Sequence, residues 1–65
     1  MNVIYEGQMV ENKYHGIGRL TIDGMMLQEG EFKNGKMHGK GRVIMHNGIM
    51  QKVVAGQFLN GVYQQ

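Results

Sequence analysis

Apolar and polar residues alternate along most of this chain, in short stretches separated by glycines. In the first stretch Tyr5, Gly7 and Met9 fall on one side of an extended backbone, and the residues between them fall on the other. This period of two is typical of a half-buried β-strand, and no helical stripe longer than about ten residues occurs. The pattern therefore predicts an all-β fold.

Turn signals separate the alternating stretches. Asn34-Gly35 is the strongest, because both central residues of a type I′ hairpin turn need positive φ, which Asn and Gly tolerate. Asp23-Gly24 and Asn47-Gly48 mark two further turns. We therefore predict about five strands in an elongated antiparallel meander of stacked β-hairpins.

One segment of the chain recurs. The stretch from Glu29 to Gly41 has the same skeleton as the stretch from Glu6 to Gly18, and a third copy begins at Ala55. A fixed period of about 20–50 residues indicates stacked supersecondary units, which usually bind other molecules. The predicted organisation is one domain, residues 1–65, with units at about 5–27, 28–53 and a partial unit at 54–65.

The recurring glycines predict a thin core. Glycine inside a strand costs entropy, so its repetition implies close approach, and we expect aromatic and methionine side chains of neighbouring hairpins to lie over the gaps. The step from Gly30 to Gly56 is 26 residues against 23 from Gly7 to Gly30, so the second connection is expected to bulge. The predicted core is a single apolar row: Met9, Leu20, Ile22, Phe32, Val43, Met45 and Phe58.

The charges are balanced and dispersed. Seven Lys and Arg stand against five Asp and Glu, and no three basic residues are adjacent, which argues against nucleic-acid binding. Cross-strand ion pairs are expected between the acids Glu29 and Glu31 and the bases Lys40 and Arg42, with Glu6 and Arg19 paired likewise. The first residues lack the basic start and apolar centre of a signal peptide, so a cytoplasmic location is expected.

Residues for catalysis are scarce. The chain has no Ser and no Cys, and its one Thr is Thr21, so the usual activated nucleophiles are nearly absent and no enzymatic activity is predicted. His15 and His38 occupy equivalent positions and would lie about 5 Å apart in paired hairpins. They could bind a metal together with His46, but zinc needs three or four ligands, so we interpret them as packing or turn-satisfying residues and predict no metal site and no cofactor.

Two motifs carry a resemblance to a known family. The runs Tyr5-Glu6-Gly7-Gln8-Met9 and Lys13-Tyr14-His15-Gly16-Ile17-Gly18, repeated as Glu29 to Gly41, resemble the MORN (membrane occupation and recognition nexus) repeat. Departures are Gln28 and Val54 at the leading tyrosine position, Met9 at the aromatic position, and no proline before the Asp-Gly turn. The resemblance implies a sheet of stacked hairpins with a concave groove, in scaffolds that bind partner segments, dimerise, or join cytoskeletal and ciliary assemblies.

A non-catalytic interaction module is therefore the first functional prediction. Its apolar face would hold a helix or extended segment of a partner protein, and its sheet edges would permit a homodimer. The candidate partner-binding residues are Tyr5, Met9, Tyr14, Phe32, Met37, Met45 and Phe58.

Two other readings stay open. The cations Lys33, Lys36, Lys40 and Arg42 fall within ten residues, which suits peripheral binding to anionic phospholipid. The partial third unit would also suit a small subunit of a larger complex, because exposed repeat ends are normally capped.

Overall fold

The structure, a computed structural model, describes all 65 residues as one antiparallel sheet. Its strands follow one another in chain order, so each pairs with its sequence neighbours: β1 (Val3–Val10), β2 (Lys13–Ile22), β3 (Met26–Lys33), β4 (Lys36–His46), β5 (Gln51–Leu59) and β6 (Val62–Gln64). The predicted all-β meander of hairpins is confirmed. It has six strands, one more than predicted, because the last residues fold back and pair with β5.

Tight turns join the strands at one end of the sheet. Both central residues of each have positive φ, as a type I′ turn requires, and they are Glu11 and Asn12, Asn34 and Gly35, and Asn60 and Gly61. Each later turn is tied to the preceding hairpin: Gly35 N donates to Tyr14 O (3.0 Å), and Gly61 N donates to Met37 O (2.8 Å). The hairpins are therefore linked through their turns as well as their strands.

The second connection does not bulge, contrary to the expectation from its length. Pairing between β4 and β5 keeps one register from Gly39 opposite Phe58 to His46 opposite Gln51. The three additional residues instead lengthen each strand by one pair and the turn by one residue, so four residues, 47–50, join β4 and β5, against three, 23–25, between β2 and β3. A hairpin can grow this way without losing a ladder hydrogen bond.

A row of glycines crosses the sheet in register. Its members lie on five consecutive strands: Gly7, Gly18, Gly30, Gly41 and Gly56. Side chains occupy the gaps, as predicted, but most come from the same hairpin and not from a neighbour. A Cβ on Gly18 would meet the ring of Tyr5, a Cβ on Gly41 would meet Cε of Met37, and a Cβ on Gly56 would meet the ring of Tyr63.

Each of the first two hairpins has a bulge beside this row. The register shifts by two residues between Gly7 and Met9 in β1, and again between Gly30 and Phe32 in β3. At each bulge a side chain accepts a hydrogen bond from a backbone N–H of the opposite strand. Gln8 Oε1 accepts a hydrogen bond from Ile17 N (2.7 Å), and Glu31 Oε2 accepts one from Lys40 N (2.5 Å).

The core is a small cluster on one face. Its buried members are Leu20, Phe32, Met37 and Phe58, and the half-buried residues packed on them are Tyr5, Tyr14, Ile22, Val43 and Val54. Two expectations need correction. Met9 was placed in the core but is 52% exposed, because no hairpin precedes it. Met37 was predicted as a partner-binding residue and was left out of the core row, yet it is 3% exposed, because it lies opposite Phe32 and over Gly41.

The molecule is a single layer, measuring 37 × 29 × 14 Å. Only four of its 65 residues are buried, whereas 35 backbone hydrogen bonds lie within the strands. Strand pairing therefore contributes more to its order than core volume does. The structure contains no helix that is long and apolar enough to cross a membrane.

Candidate interaction face

Strand alternation divides the side chains between two faces of the sheet. The aromatic face carries the buried cluster of Leu20, Phe32, Met37 and Phe58. The charged face, on the other side, carries Glu29 and its arginine partners. The sheet is one layer thick, so no second layer covers either face.

Three aromatic rings organise the first half of the aromatic face. Tyr5 and Tyr14 stack with ring centroids 3.9 Å apart and planes inclined by 11°. Phe32 meets both rings edge-on, with centroids 5.6 Å from Tyr5 and 6.0 Å from Tyr14. Edge-to-face and stacked pairs of this kind add about 0.5–1.5 kcal/mol beyond area burial. Tyr5 also donates a hydrogen bond from its hydroxyl to Gln8 O (2.6 Å), which fixes the outer ring.

The second half repeats this arrangement with fewer rings. Phe58 and Tyr63 lie 5.5 Å apart, and the Tyr63 hydroxyl donates to Ala55 O (3.3 Å). In both halves the buried phenylalanine stands opposite a glycine of the preceding hairpin: Phe32 opposite Gly16, and Phe58 opposite Gly39. Each unit after the first therefore packs its aromatic residue on the unit before it.

The predicted partner-binding residues divide into three groups by exposure. Phe32, Met37 and Phe58 belong to the buried cluster, so they support the face from within. Tyr5, Tyr14 and Met45 are half-buried, and Met9 is exposed. Contact of any of these seven with a partner stays a prediction.

The half-buried residues form the open part of the aromatic face. Val43 and Val54 are cross-strand partners, and Ile22 lies one row nearer the longer turns. Ile22 and Val43 were predicted to lie in the core, and Val54 was not predicted as a contact residue. The alternating pattern of β5 and its register with β4 would have identified Val54.

Glu29 is the centre of the charged face. Arg19 on β2 donates to its carboxylate from Nε (3.0 Å), and Arg42 on β4 donates from Nη2. The hydrogen bond from Arg42, with the charges of both arginines, lowers the pKa of the Glu29 carboxyl below its ordinary value, against a smaller opposing effect of burial. One carboxylate thus joins three strands.

The predicted ion pairs are partly wrong. Glu6 and Arg19 are cross-strand partners, but the Arg19 side chain pairs with Glu29 on its other side. Glu31 does not pair with the ammonium of Lys40, because its carboxylate accepts the Lys40 backbone N–H at the bulge. The pair of Glu29 and Arg42 is confirmed.

The candidate lipid-binding cations are not equivalent. Lys33 and Lys36 face each other across the strands beside the Asn34-Gly35 turn. Lys40 lies farther along β4 and is exposed, while Arg42 is engaged by Glu29. Binding of lipid by these four residues stays a prediction, and Lys33 and Lys36 are the two closest to an end of the sheet.

The charged face also carries a row of four aliphatic residues and one threonine that was not predicted from the sequence. Its members lie in register on five strands, in the order Ile4, Thr21, Leu27, Ile44 and Val53. Ile4 and Val53, at its ends, are 58% and 51% exposed. The row becomes visible only when the strands are aligned, because each contributes a single residue.

One of the three histidine side chains, that of His38, contacts a turn. His38 Nδ1 accepts a hydrogen bond from Asn60 N (3.3 Å), which holds the last tight turn against β4. No three His, Cys, Asp or Glu side chains are grouped so that they could hold a metal ion. This contact agrees with the interpretation of His38 as a turn-satisfying residue.

Comparison with known families identifies the repeat. The sequence pattern of the MORN repeat matches residues 5–26 and 29–50, which together are more than half of the chain. The chain belongs to the MORN repeat family. Searches of curated proteins and of solved structures found no match. MORN repeats are non-catalytic modules for protein interaction or membrane association, and the two matched repeats correspond to the hairpins β1–β2 and β3–β4.

Proposed function

We propose that residues 1–65 form one MORN domain, with a partial third repeat at 54–65, that binds a partner protein on the aromatic face without catalysis. The observation that carries the proposal is a single-layer sheet with four buried residues, whose apolar face has nothing packed over it. A partner helix or extended segment would remove the half-buried residues Ile22, Val43 and Val54 from water, at about 25 cal/mol per Å² of apolar surface.

Adjacent residues of β5 provide a matched test. Val54 lies on the aromatic face and Val53 on the charged face, in the same strand. Val54→Lys should reduce capture of the partner from the native source by at least about tenfold, because a charge would then oppose apolar contact. Val53→Lys, at a residue 51% exposed, should capture it as the unsubstituted protein does. Equal loss in both variants, or loss in neither, would contradict docking on the aromatic face.

The family and the fold support this function without naming the partner. A scaffold of this kind would act in the cytoplasm, as a cytoskeletal or ciliary component or as a small subunit of a larger complex. Identification of the proteins that the Val53→Lys variant captures and the Val54→Lys variant does not would distinguish these settings.

Anionic phospholipid is the second candidate ligand. The observation that favours it is the pair Lys33 and Lys36, like charges directly opposite each other, an arrangement that is destabilising by itself. A polyanionic surface would relieve that repulsion and add about 1 kcal/mol per basic residue. Vesicles containing phosphatidylserine at low salt should bind the protein, and Lys33→Gln/Lys36→Gln should abolish binding. Lys52→Gln, at the other end of the sheet, should not change it.

A further inference from the structure

The end of the sheet that carries the longer turns holds an open cavity of about 480 Å³ lined by methionine. Four of the chain's seven methionines meet there: Met25, Met26, Met45 and Met50. Met26 and Met45 are cross-strand partners on β3 and β4, whereas Met25 and Met50 come from the two turns. The remaining lining residues are His46, Asn47, Gln51 and Lys52.

Backbone hydrogen bonds fix the two turn methionines. Met25 N donates to Ile22 O (2.9 Å), and Met25 O accepts from His46 N (2.8 Å), which ties the first turn to the end of β4. In the second turn Asn47 Oδ1 accepts from Met50 N (2.8 Å), and Asn47 N donates to Met50 O (3.1 Å). The backbones are held while the side chains of Met25 and Met50 stay exposed, by 53% and 70%.

Core packing does not explain these two side chains. A methionine that fills a gap in a core is buried, as Met37 is at 3% exposure. Met25 and Met50 are mostly in water, and their sulfur atoms make no hydrogen bond. Met26 differs, because its sulfur accepts a hydrogen bond from Gln28 Nε2 (3.5 Å). Three thioethers, those of Met25, Met45 and Met50, are therefore available at one cavity.

The chemistry of the lining selects the class of ligand. No carboxylate lines the cavity, so a hard cation would find no charged oxygen ligand there, only the neutral amides of Asn47 and Gln51. Alternation along β4 places the His46 side chain on the charged face, so we do not include its imidazole among the ligands at the cavity. Thioethers are soft, neutral ligands that favour Cu(I). Their unbranched stems, with three rotatable bonds, allow the sulfur atoms to converge without movement of the backbone.

We propose that Met25, Met45 and Met50 form a three-thioether site for Cu(I), the soft monovalent copper ion. The site goes beyond partner binding, because it lies at the end of the sheet and uses two turn residues that the aromatic face does not need. The open cavity gives the ion direct access from solvent.

Anaerobic titration with Cu(I), kept reduced by ascorbate and in competition with bicinchoninate, tests the site. We expect one Cu(I) per chain, with sulfur as the scattering neighbour in X-ray absorption. Met25→Leu/Met50→Leu keeps apolar volume and changes only side chains that are mostly exposed, so the fold should persist by circular dichroism. Its Cu(I) affinity should fall by about a hundredfold, tenfold for each thioether removed.

Two single variants serve as controls. Met9→Leu removes an exposed methionine at the opposite end of the sheet, and His46→Gln removes the nearest imidazole. Both should bind Cu(I) with the affinity of the unsubstituted protein. The proposal is overturned if no one-to-one binding occurs, if the double variant binds equally well, or if His46→Gln alone abolishes binding.

Discussion

Gly18 leaves the space that the Tyr5 ring occupies. A Cβ at this position would lie 2.2 Å from the Tyr5 hydroxyl oxygen and 2.6 Å from two ring carbons. The tyrosine cannot swing aside freely, because its hydroxyl donates to Gln8 O and its ring stacks on Tyr14. A single missing side chain therefore positions the aromatic group that opens the repeat.

Gly18→Ala should lower the free energy of unfolding by about 1–3 kcal/mol, the usual cost of overpacking. Urea denaturation measures the change. Gly24→Asn is the control, because Gly24 has open space around it and a φ of +65°, which asparagine tolerates, so stability should hardly change. Adding Tyr5→Leu to Gly18→Ala should recover part of the loss. Equal stability of Gly18→Ala and the unsubstituted protein would contradict the claim that the Tyr5 ring needs the space at Gly18.

Glu29 should make stability depend on acid pH. Its folded pKa is lowered, so its contribution is complete above the ordinary glutamate value of 4.5 and is lost as pH falls through the lower folded pKa. Glu29→Gln should therefore be less stable at about pH 7, by up to about 1 kcal/mol as expected for exposed ion pairs. The difference between the two proteins should shrink as the pH falls further below 4.5. A difference that is unchanged by acid would assign the effect to packing.

At the scale of the element, the tight turns and the bulges set how hairpins stack. Phe32 and Phe58 are buried because each lies opposite a glycine of the preceding hairpin, whereas Met9 has no such neighbour. The turn of each later hairpin also donates to a backbone carbonyl of the hairpin before it, that of Tyr14 or Met37. One repeat is therefore incomplete without the repeat before it, as expected for solenoid-like arrays.

The first tight turn has positive φ at both central residues, but glutamate, unlike asparagine or glycine, does not favour that conformation. Glu11 and Asn12 adopt φ of 51° and 63°, which costs a glutamate more than it costs asparagine or glycine. Replacing the pair by Asn-Gly, as Glu11→Asn/Asn12→Gly, should raise the free energy of unfolding by about 0.5–2 kcal/mol. Thermal unfolding followed by circular dichroism would show the gain. Unchanged or lower stability would mean that the Glu11 side chain makes a contact that offsets its backbone strain.

These elements also show how far the sequence can be read. The Asn34-Gly35 turn, the alternation and the glycine spacing predicted the meander, because each depends on local geometry. The burial of Met37 could not be predicted, since it follows from a two-residue register shift that places Met37 opposite Phe32. The partnership of Arg19 with Glu29 was missed for a related reason: Arg19 has an acid on both neighbouring strands, and only the coordinates show which one it contacts.

For the candidate site, the residue types could be predicted from the sequence, but their exposure could not. Phe32 and Phe58 were predicted to contact a partner, and both are buried in the structure. Val54, the cross-strand partner of Val43 on the accessible apolar surface, was not predicted, nor was the methionine cavity, which joins residues from two separate turns. Features that combine three or more strands depend on register, which periodicity alone does not determine.

At the scale of the whole molecule, the sheet has two unpaired edges that differ in continuity. β1 presents an uninterrupted edge of eight residues, whereas the other edge is divided between residues 51–56 of β5, which β6 does not cover, and the three residues of β6, so β1 is the better template for another strand. Short edge strands are one means by which proteins avoid association, and β6 covers only one end of β5 in this way, whereas no strand covers any part of the free edge of β1. Homodimerisation therefore stays a proposal, and β1 is the edge through which we expect it.

A charge on the β1 edge should block this association. Ile4 is 58% exposed on β1, so Ile4→Lys should fold normally and yet remain monomeric at concentrations where the unsubstituted protein associates. Ile17→Lys is the matched control: Ile17 is 62% exposed but lies on β2, which is paired on both sides, so association should persist. Light scattering over a concentration series measures the mass. The mass of one chain for the unsubstituted protein at every concentration, or equal loss of association in both variants, would show that the β1 edge does not pair.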